Sequence, residues 1–325
     1  MKWRVLVTAP PILPKIEKYR ELFFKNNAEF ITPNFHVMES LKQAELQKLL
    51  VDVDAILCGD DEINAAVIHS ANKLKIISKW GTGIDSIDVD AAKKAGITVC
   101  RVADAFADPL ADTVMAYILS YCRKINEKNQ LVREGRWQKT ESFTLREKVL
   151  GVVGVGHIGQ AVIQRAHAFG MRILAHDRRT IRQEIIDKFS LPSCSFHELL
   201  AHSDFISINC DLNESSYHLF STEQFNLMKE SAVLINTARG AVIDEQSLII
   251  ALKNKVIAGA ALDVFEFEPL PKDSELRSLN NVFLSPHNSN ASPVVFDKVD
   301  LASIHHIFNF FNSMSIEKAA CVTNA

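Results

Sequence analysis

Three short segments in the second half of the chain each place a titratable side chain just after an apolar run. Ile235-Asn236-Thr237-Ala238-Arg239-Gly240 supplies an arginine. Gly259-Ala260-Ala261-Leu262-Asp263-Val264-Phe265-Glu266-Phe267-Glu268-Pro269 supplies Asp263 and Glu268, and Phe283-Leu284-Ser285-Pro286-His287-Asn288 supplies a histidine. An arginine can grip a carboxylate through two parallel N–H donors and polarise the neighbouring oxygen. A histidine can take or give a proton near neutral pH. A carboxylate paired with it holds the ring and stabilises the imidazolium. Taken singly, a strand-end arginine is commonly a surface charge, Glu-Pro a turn, and a lone histidine a packed or loop residue. Together, Arg239, Glu268 and His287 offer a carboxylate clamp and a proton-transfer pair.

A second constellation lies upstream. The buried-strand run Val149-Leu150-Gly151-Val152-Val153 leads into Gly154-Val155-Gly156-His157-Ile158-Gly159, then into a helical stripe of Ile158, Ala161, Val162, Ala166 and Phe169, ended by Gly170. A second strand, Arg172–His176, ends at Asp177. Strand, glycines, helix, strand and acid in this order describe a dinucleotide fold. Gly154 permits the tight turn, Gly156 lets the backbone approach a pyrophosphate, and Gly159 lets the helix sit close to the strand. The helix N-terminus presents N–H groups to the phosphates. Asp177 is placed to accept from an adenosine ribose and to repel a 2′-phosphate, so NAD is the expected cofactor. Arg178 and Arg179 temper that preference, being loop cations able to reach a phosphate. His157 and Ile158 stand beside the phosphates in the first helical turn.

A nicotinamide cofactor next to the Arg, Glu and His set supplies what oxidation of a 2-hydroxy acid needs. Hydride leaves carbon while a histidine takes the hydroxyl proton. All three segments are expected just beyond the carboxyl ends of strands, where an open α/β sheet places its ligands.

The elements that must position these residues alternate from the start. Candidate strands are Arg4–Thr8, Glu29–Thr32, Ala55–Cys58, Lys75–Ser78 and Ile97–Cys100, with helical patterns such as Ile12–Asn26 and Asn64–Ala71 between them. The class is therefore α/β with parallel sheets. Asp108-Pro109 reads as an N-cap followed by proline, opening a helix with Leu110, Val114, Tyr117, Ile118 and Tyr121 on one face. A second βαβ series begins near Lys148, and a last apolar helix spans about Val294–Phe311.

Composition agrees. The 325 residues suggest about two domains. With 36 Lys and Arg against 39 Asp and Glu, the net charge is −3, which forces no nucleic-acid-binding face. A hydrophobic share of 47 % with 23 % charged residues excludes a disordered chain. No apolar run reaches the ~18 residues of a membrane span, and Met1-Lys2-Trp3-Arg4 opens a strand rather than a signal peptide. The scattered cysteines Cys58, Cys100, Cys122, Cys194, Cys210 and Cys321 show no metal-ligand spacing, so no metal and a cytoplasmic location are expected.

With these motifs in place, the chain resembles the D-isomer-specific 2-hydroxyacid dehydrogenase family over nearly its whole length, nearest its 3-phosphoglycerate dehydrogenase-like branch. Lys79-Trp80-Gly81-Thr82-Gly83-Ile84-Asp85 is similar to the family's substrate-side glycine loop. The resemblance implies that Arg239 binds the substrate carboxylate, that His287 is the acid/base with Glu268 as its partner, and that Lys79, Trp80 and Gly81 line the substrate. It implies that Asp263 lies near the nicotinamide carboxamide, and that Thr82, Cys210, Thr237 and Ala238 border the cofactor.

It further implies two Rossmann-like or flavodoxin-like domains. A split substrate domain, 1–102 with 288–325, surrounds an NAD-binding domain, 103–287. A homodimer through the cofactor domains and the arm near Trp137 is implied as well. Cys58-Gly59 replaces the Arg-Ser usual in phosphoglycerate enzymes, and Asp60 and Asp61 follow. Asp112 replaces a usual glutamate, and Asn209-Cys210-Asp211 a usual His/Thr-Pro pattern. The chain ends soon after its last helix, so no C-terminal regulatory domain is expected. Two alternatives share these residues: a glyoxylate or hydroxypyruvate reductase, and a non-catalytic NAD(H)-sensing protein similar to corepressors.

Overall fold

The computed structural model describes residues 2–38 and 40–322, with side chains described through Met314. The side chain of Cys321 and the last three residues of the expected 288–325 segment lie outside that description. The chain separates into two compact units. One runs to Ala105 and resumes at Ser292; the other is Phe106–Ala291, inserted within it. Each is a parallel α/β sheet.

The first unit holds β1 (Trp3–Val7), β2 (Ala28–Ile31), β3 (Ala55–Cys58), β4 (Ile76–Lys79) and β5 (Thr98–Arg101), in the order β2-β1-β3-β4-β5. All four residues of β3 and of β4 are buried, as expected of central strands covered on both faces. The expected helix Ile12–Asn26 divides into a 3₁₀ segment, Leu13–Tyr19, and a short α-helix, Arg20–Lys25. Pro14 removes a donor from the first turn, and Lys15 bonds three residues back to Ile12.

The helix Pro293–Val322 returns to this unit. Phe308 meets Phe23 edge-on at 5.1 Å, and Phe311 stacks on Trp3 at 4.2 Å. Its buried Asp300 accepts from Tyr19 (2.9 Å) and from the Trp80 indole (2.7 Å), and pairs with Lys15 (2.6 Å).

The second unit holds β6 (Val149–Val153), β7 (Arg172–His176), β8 (Phe205–Ile208), β9 (Val233–Asn236), β10 (Gly259–Leu262) and β11 (Val282–Leu284), in the order β11-β10-β9-β8-β6-β7. Sequence order reverses direction between β6 and β8, which is where such sheets open a crevice for ligands. The helix His157–Ala168 follows β6 and packs against the helix Ala107–Arg123.

Two expectations are corrected here. The N-cap of the latter helix is Phe106, so Asp108 and Pro109 lie inside its first turn. The Asp108 carboxylate is occupied by Arg165 (2.8 Å), which also holds Asp112 (2.6 Å), and so it cannot fold back as a cap. On the helix His157–Ala168 the buried face is Gly159, Val162, Ile163 and Ala166, while Phe169 stays 48 % exposed. Phe169 is the C-cap residue and has already left the helical stripe.

Candidate active site

The glycine loop divides its work as its conformations require. Gly154 has φ +92°, and a Cβ there would lie 2.7 Å from the backbone of both Asn209 and Cys210, because the loops after β6 and β8 pinch together. A Cβ on Gly159 would meet the Gly154 carbonyl at 2.0 Å. Gly156 differs: a Cβ there meets nothing within 4 Å. The two flanking glycines are therefore demanded by the protein's own packing, while Gly156 faces space that a bound group can fill. His157, Ile158 and Gly159 open the helix, whose first-turn N–H groups have no intrahelical acceptor. These residues fit a dinucleotide pyrophosphate.

Asp177 follows β7 directly. Its Oδ2 accepts from Val155 N–H and its Oδ1 from Arg179 N–H, both at 2.8 Å. The carboxylate thus braces the glycine loop, and each oxygen retains a second lone pair for a ribose hydroxyl. Arg178 donates to Ser215 (3.0 Å), while the Arg179 side chain is 78 % exposed. Burial pushes the Cys210 thiol up to about 11, so it is a neutral wall of the crevice at physiological pH.

Three adjacent strands deliver the other constellation. Asn236, Leu262 and Leu284 end β9, β10 and β11 in register. Lateral bonding continues past those ends: Asp263 N–H donates to Asn236 O (3.0 Å), and His287 N–H to Asp263 O (2.8 Å). Arg239, Glu268 and His287 therefore leave from neighbouring strands, which lie ~4.8 Å apart in such sheets. The His287 backbone is left-handed, with φ +49°. Asp263, only 1 % exposed, holds that turn by accepting from Asn288 N–H and Ser289 N–H, both at 2.9 Å.

Glu268 Oε2 lies 2.7 Å from His287 Nδ1, and its Oε1 accepts from Phe265 N–H (2.9 Å). Both side chains keep roughly a quarter of their surface exposed. Arg239 is partly buried and donates to Ala238 O (3.0 Å). Thr237 is buried beside it.

The remaining expected residues belong to the first unit. Lys79 ends β4, 3 % exposed, with Nζ 3.1 Å from Asp60 and 3.2 Å from Trp80 O. The Trp80 side chain is buried, bonded to Asp300 and set edge-on to Phe296 (5.0 Å), so it braces the loop from inside. Gly81 has φ +115°, and Thr82 Oγ1 donates to Val102 O (3.1 Å).

Sequence reasoning missed several supports. Buried Asn236 shapes the Arg239 turn, donating to Arg239 O (2.8 Å) and accepting from Ala238 N–H (3.0 Å). Gly240 is forced by proximity, since a Cβ there would lie 1.9 Å from the Phe265 carbonyl carbon. Glu266 lies 2.5 Å from His218, a second histidine–glutamate contact 48 residues apart that no local pattern announces. Among the described residues no group of three His, Cys, Asp or Glu side chains is placed to hold a metal ion.

A parallel sheet with a glycine-loop crevice and a strand-end Arg, Glu and His set defines a nicotinamide-dependent oxidoreductase, and comparison with known proteins specifies which. Residues 115–289 match the family described as D-isomer specific 2-hydroxyacid dehydrogenase, NAD binding domain. The chain belongs to the D-isomer specific 2-hydroxyacid dehydrogenase family. It is 41 % identical over 249 residues to a glyoxylate reductase of Korarchaeum cryptofilum, covering 74 % of each chain. It is 34 % identical over 313 residues to glyoxylate/hydroxypyruvate reductase B of Klebsiella pneumoniae, covering 94 % of this chain and 93 % of the other. Among solved structures, an NADPH-dependent glyoxylate/hydroxypyruvate reductase of Sinorhizobium meliloti superposes with a TM-score of 0.81 at 27 % identity, over 96 % of this chain and 94 % of that one. The chain is thus an oxidoreductase of the CH–OH group with a nicotinamide cofactor.

Proposed function

We propose that the chain reduces a small, unphosphorylated 2-oxo acid of the glyoxylate and hydroxypyruvate class to the D-2-hydroxy acid. The carrying observation is the 2.7 Å contact of Glu268 with His287, in loops that leave the adjacent strands β10 and β11, with Arg239 in the loop after β9 next to them in the sheet order. Arg239 holds the substrate carboxylate and polarises the neighbouring carbonyl oxygen. With Nδ1 turned to Glu268, His287 passes its proton through the other ring nitrogen to the oxygen that becomes the hydroxyl. Glu268 keeps the ring oriented and offsets its charge. The bound nicotinamide supplies the hydride.

Gly154, Gly156, His157, Ile158 and Gly159 receive the pyrophosphate and Asp177 the ribose. Cys210, Thr237 and Ala238 border the same crevice. Asp263 orders the His287 turn and stands toward the carboxamide. In this reading Phe106–Ala291 is the cofactor domain and the other unit the substrate domain, with Lys79, Trp80 and Gly81 on the substrate side. The names of the relatives above favour this class over the phosphoglycerate-like branch. So does Lys79, whose charge is matched by Asp60 rather than left for a phosphate.

The test is a panel of 2-oxo acids, with and without phosphate groups, followed by NADH and NADPH absorbance. Glyoxylate and hydroxypyruvate are expected to lead with NADH. Arg239→Ala is expected to lose roughly 2–5 kcal/mol of kcat/KM while NADH affinity stays near wild type. Asp177→Ser is expected to raise the NADPH-to-NADH activity ratio about tenfold, a shift of ~1.4 kcal/mol, by removing the charge beside Arg178 and Arg179. NADH binding without turnover of any 2-oxo acid overturns the proposal in favour of a nucleotide sensor.

The same proposal includes a cytoplasmic homodimer. Five described cysteines are free, and no described helix is long and apolar enough to cross a membrane. Trp137 is 87 % exposed and Phe143 40 %, an apolar arm suited to a partner copy. Sedimentation velocity decides the assembly, and a monomer at micromolar concentration removes it.

A further inference from the structure

Glu266 sits two residues before Glu268 in the loop that leaves β10, and its whole carboxylate is committed. Its Oε1 lies 2.5 Å from His218 Nε2, and its Oε2 accepts from Glu245 N–H at 3.2 Å. In return Glu266 N–H donates to Glu245 Oε2, also at 3.2 Å. Glu245 is the first residue of the helix Glu245–Lys253, so the loop is fastened to a helix N-terminus at both its backbone and its side chain. Burial pushes the Glu245 carboxyl up, partly offset by the Glu266 N–H that it accepts.

His218 is anchored independently. Its backbone is left-handed, φ +49°, and its N–H donates to Ala241 O at 2.9 Å, within the turn that follows Arg239. Two residues on, Phe220 N–H donates to Val242 O (3.1 Å) and its carbonyl accepts from Asp244 N–H (2.9 Å). The Tyr217 ring stacks on the imidazole at 4.0 Å. His218 thus rides on the Arg239 turn and reaches across to the Glu268 loop.

We infer that His218 and Glu266 are positioning residues that fix the direction of Glu268 toward His287. The link is short. Glu268 Oε1 is held by Phe265 N–H (2.9 Å), and Phe265 is bonded in sequence to Glu266. Moving Glu266 moves both that N–H and the backbone from which Glu268 departs. A hydrogen bond weakens steeply once its angle degrades, so a small rotation of Glu268 releases the imidazole. The Gly240 contact with the Phe265 backbone transmits the same displacement to the Arg239 turn. This inference rests on Glu268 and His287 being the proton-transfer pair.

The experiment is a double-mutant cycle on the holoenzyme, with Glu266→Gln, Glu268→Gln and the double variant assayed for 2-oxo acid reduction. Glu266→Gln is expected to lower kcat about tenfold, as a slight misplacement of a reacting group does, with the KM for NADH unchanged. Added to Glu268→Gln it is expected to cost almost nothing further. His218→Gln, which keeps a donor toward Glu266, is expected to recover most of the kcat that His218→Ala loses. Multiplicative losses in the cycle overturn the inference. So does a Glu266→Gln enzyme that melts earlier but turns over at the wild-type rate.

The imidazole ¹H–¹⁵N resonances of His287 give a readout apart from turnover. They are expected to move in Glu266→Gln and in His218→Ala, and fixed resonances overturn the positioning. If the unmodified protein reduces no 2-oxo acid, the proposed function fails by itself, and the resonances still decide whether Glu266 positions Glu268.

Discussion

Glu266 and Glu268 leave one loop two residues apart, and each meets a histidine with a left-handed backbone: His218 and His287, both at φ +49°. The pairs differ in which ring nitrogen faces the carboxylate. In His287 it is Nδ1, next to the backbone, so the far edge of the ring points away from Glu268. In His218 it is Nε2, the far nitrogen, so the outer edge of the ring is consumed by Glu266. The carboxylates differ as well. Glu268 spends one oxygen on Phe265 N–H and the other on the imidazole, whereas Glu266 also closes a reciprocal bond with Glu245. The same two residue types therefore meet in two different ways, one leaving the far ring nitrogen of the histidine turned away from its carboxylate and the other consuming it.

That contrast can be broken by experiment. The largest effect is expected from His287→Ala, with kcat falling about 10²–10⁴-fold, the usual scale of general acid–base catalysis. Reduction uses the charged ring and oxidation the neutral one, so the two directions should lose rate toward opposite ends of the pH range. Rate profiles in both directions should lose these opposite limbs in the variant. Retained limbs would assign the proton to another group, His218 being the first to examine.

A smaller effect sharpens the link between the pairs. Gly240→Ala drives a methyl group into the Phe265 backbone, where neither side can yield cheaply. A stability loss of about 1–3 kcal/mol is expected, with a fall in kcat because the Arg239 turn and the Glu268 loop move together. Denaturant melts and steady-state rates measure both. Wild-type kcat in a destabilised protein would uncouple the turn from the loop.

The smallest effect is expected from Tyr217→Ala. Tyr217 is 58 % exposed and stacks on His218, so about 0.5–1 kcal/mol of stability should be lost, with kcat nearly unchanged. A large drop in kcat would mean that His218 depends on its stacking partner more than on Glu266.

Much of the site was legible because its signals are contiguous. The glycine loop, its strand and Asp177 lie within a single βαβ unit, and the backbone requires Gly154 and Gly159 for the local reasons expected of them. Arg239, Glu268 and His287 were legible because each stands at the end of an apolar run. Errors came where a residue with a familiar local role was claimed by a distant partner. Asp108 looked like a cap, but Arg165, 57 residues away, holds its carboxylate. Phe169 looked like part of a buried stripe, but it lies beyond the last helical turn and stays exposed.

The sequence by itself determined the α/β class, the cofactor loop and which side chains are equipped for carboxylate binding and proton transfer, because periodicity and residue chemistry are local properties. Tertiary structure alone decided that Glu266 faces His218, and through which nitrogen each histidine meets its carboxylate. It also decided that Asp263 holds the His287 turn and that Gly240 must remain small. Those outcomes depend on hydrogen bonds and van der Waals contacts between segments tens of residues apart. Such contacts carry no periodic trace in the chain and exist only once parallel strands lie side by side in register.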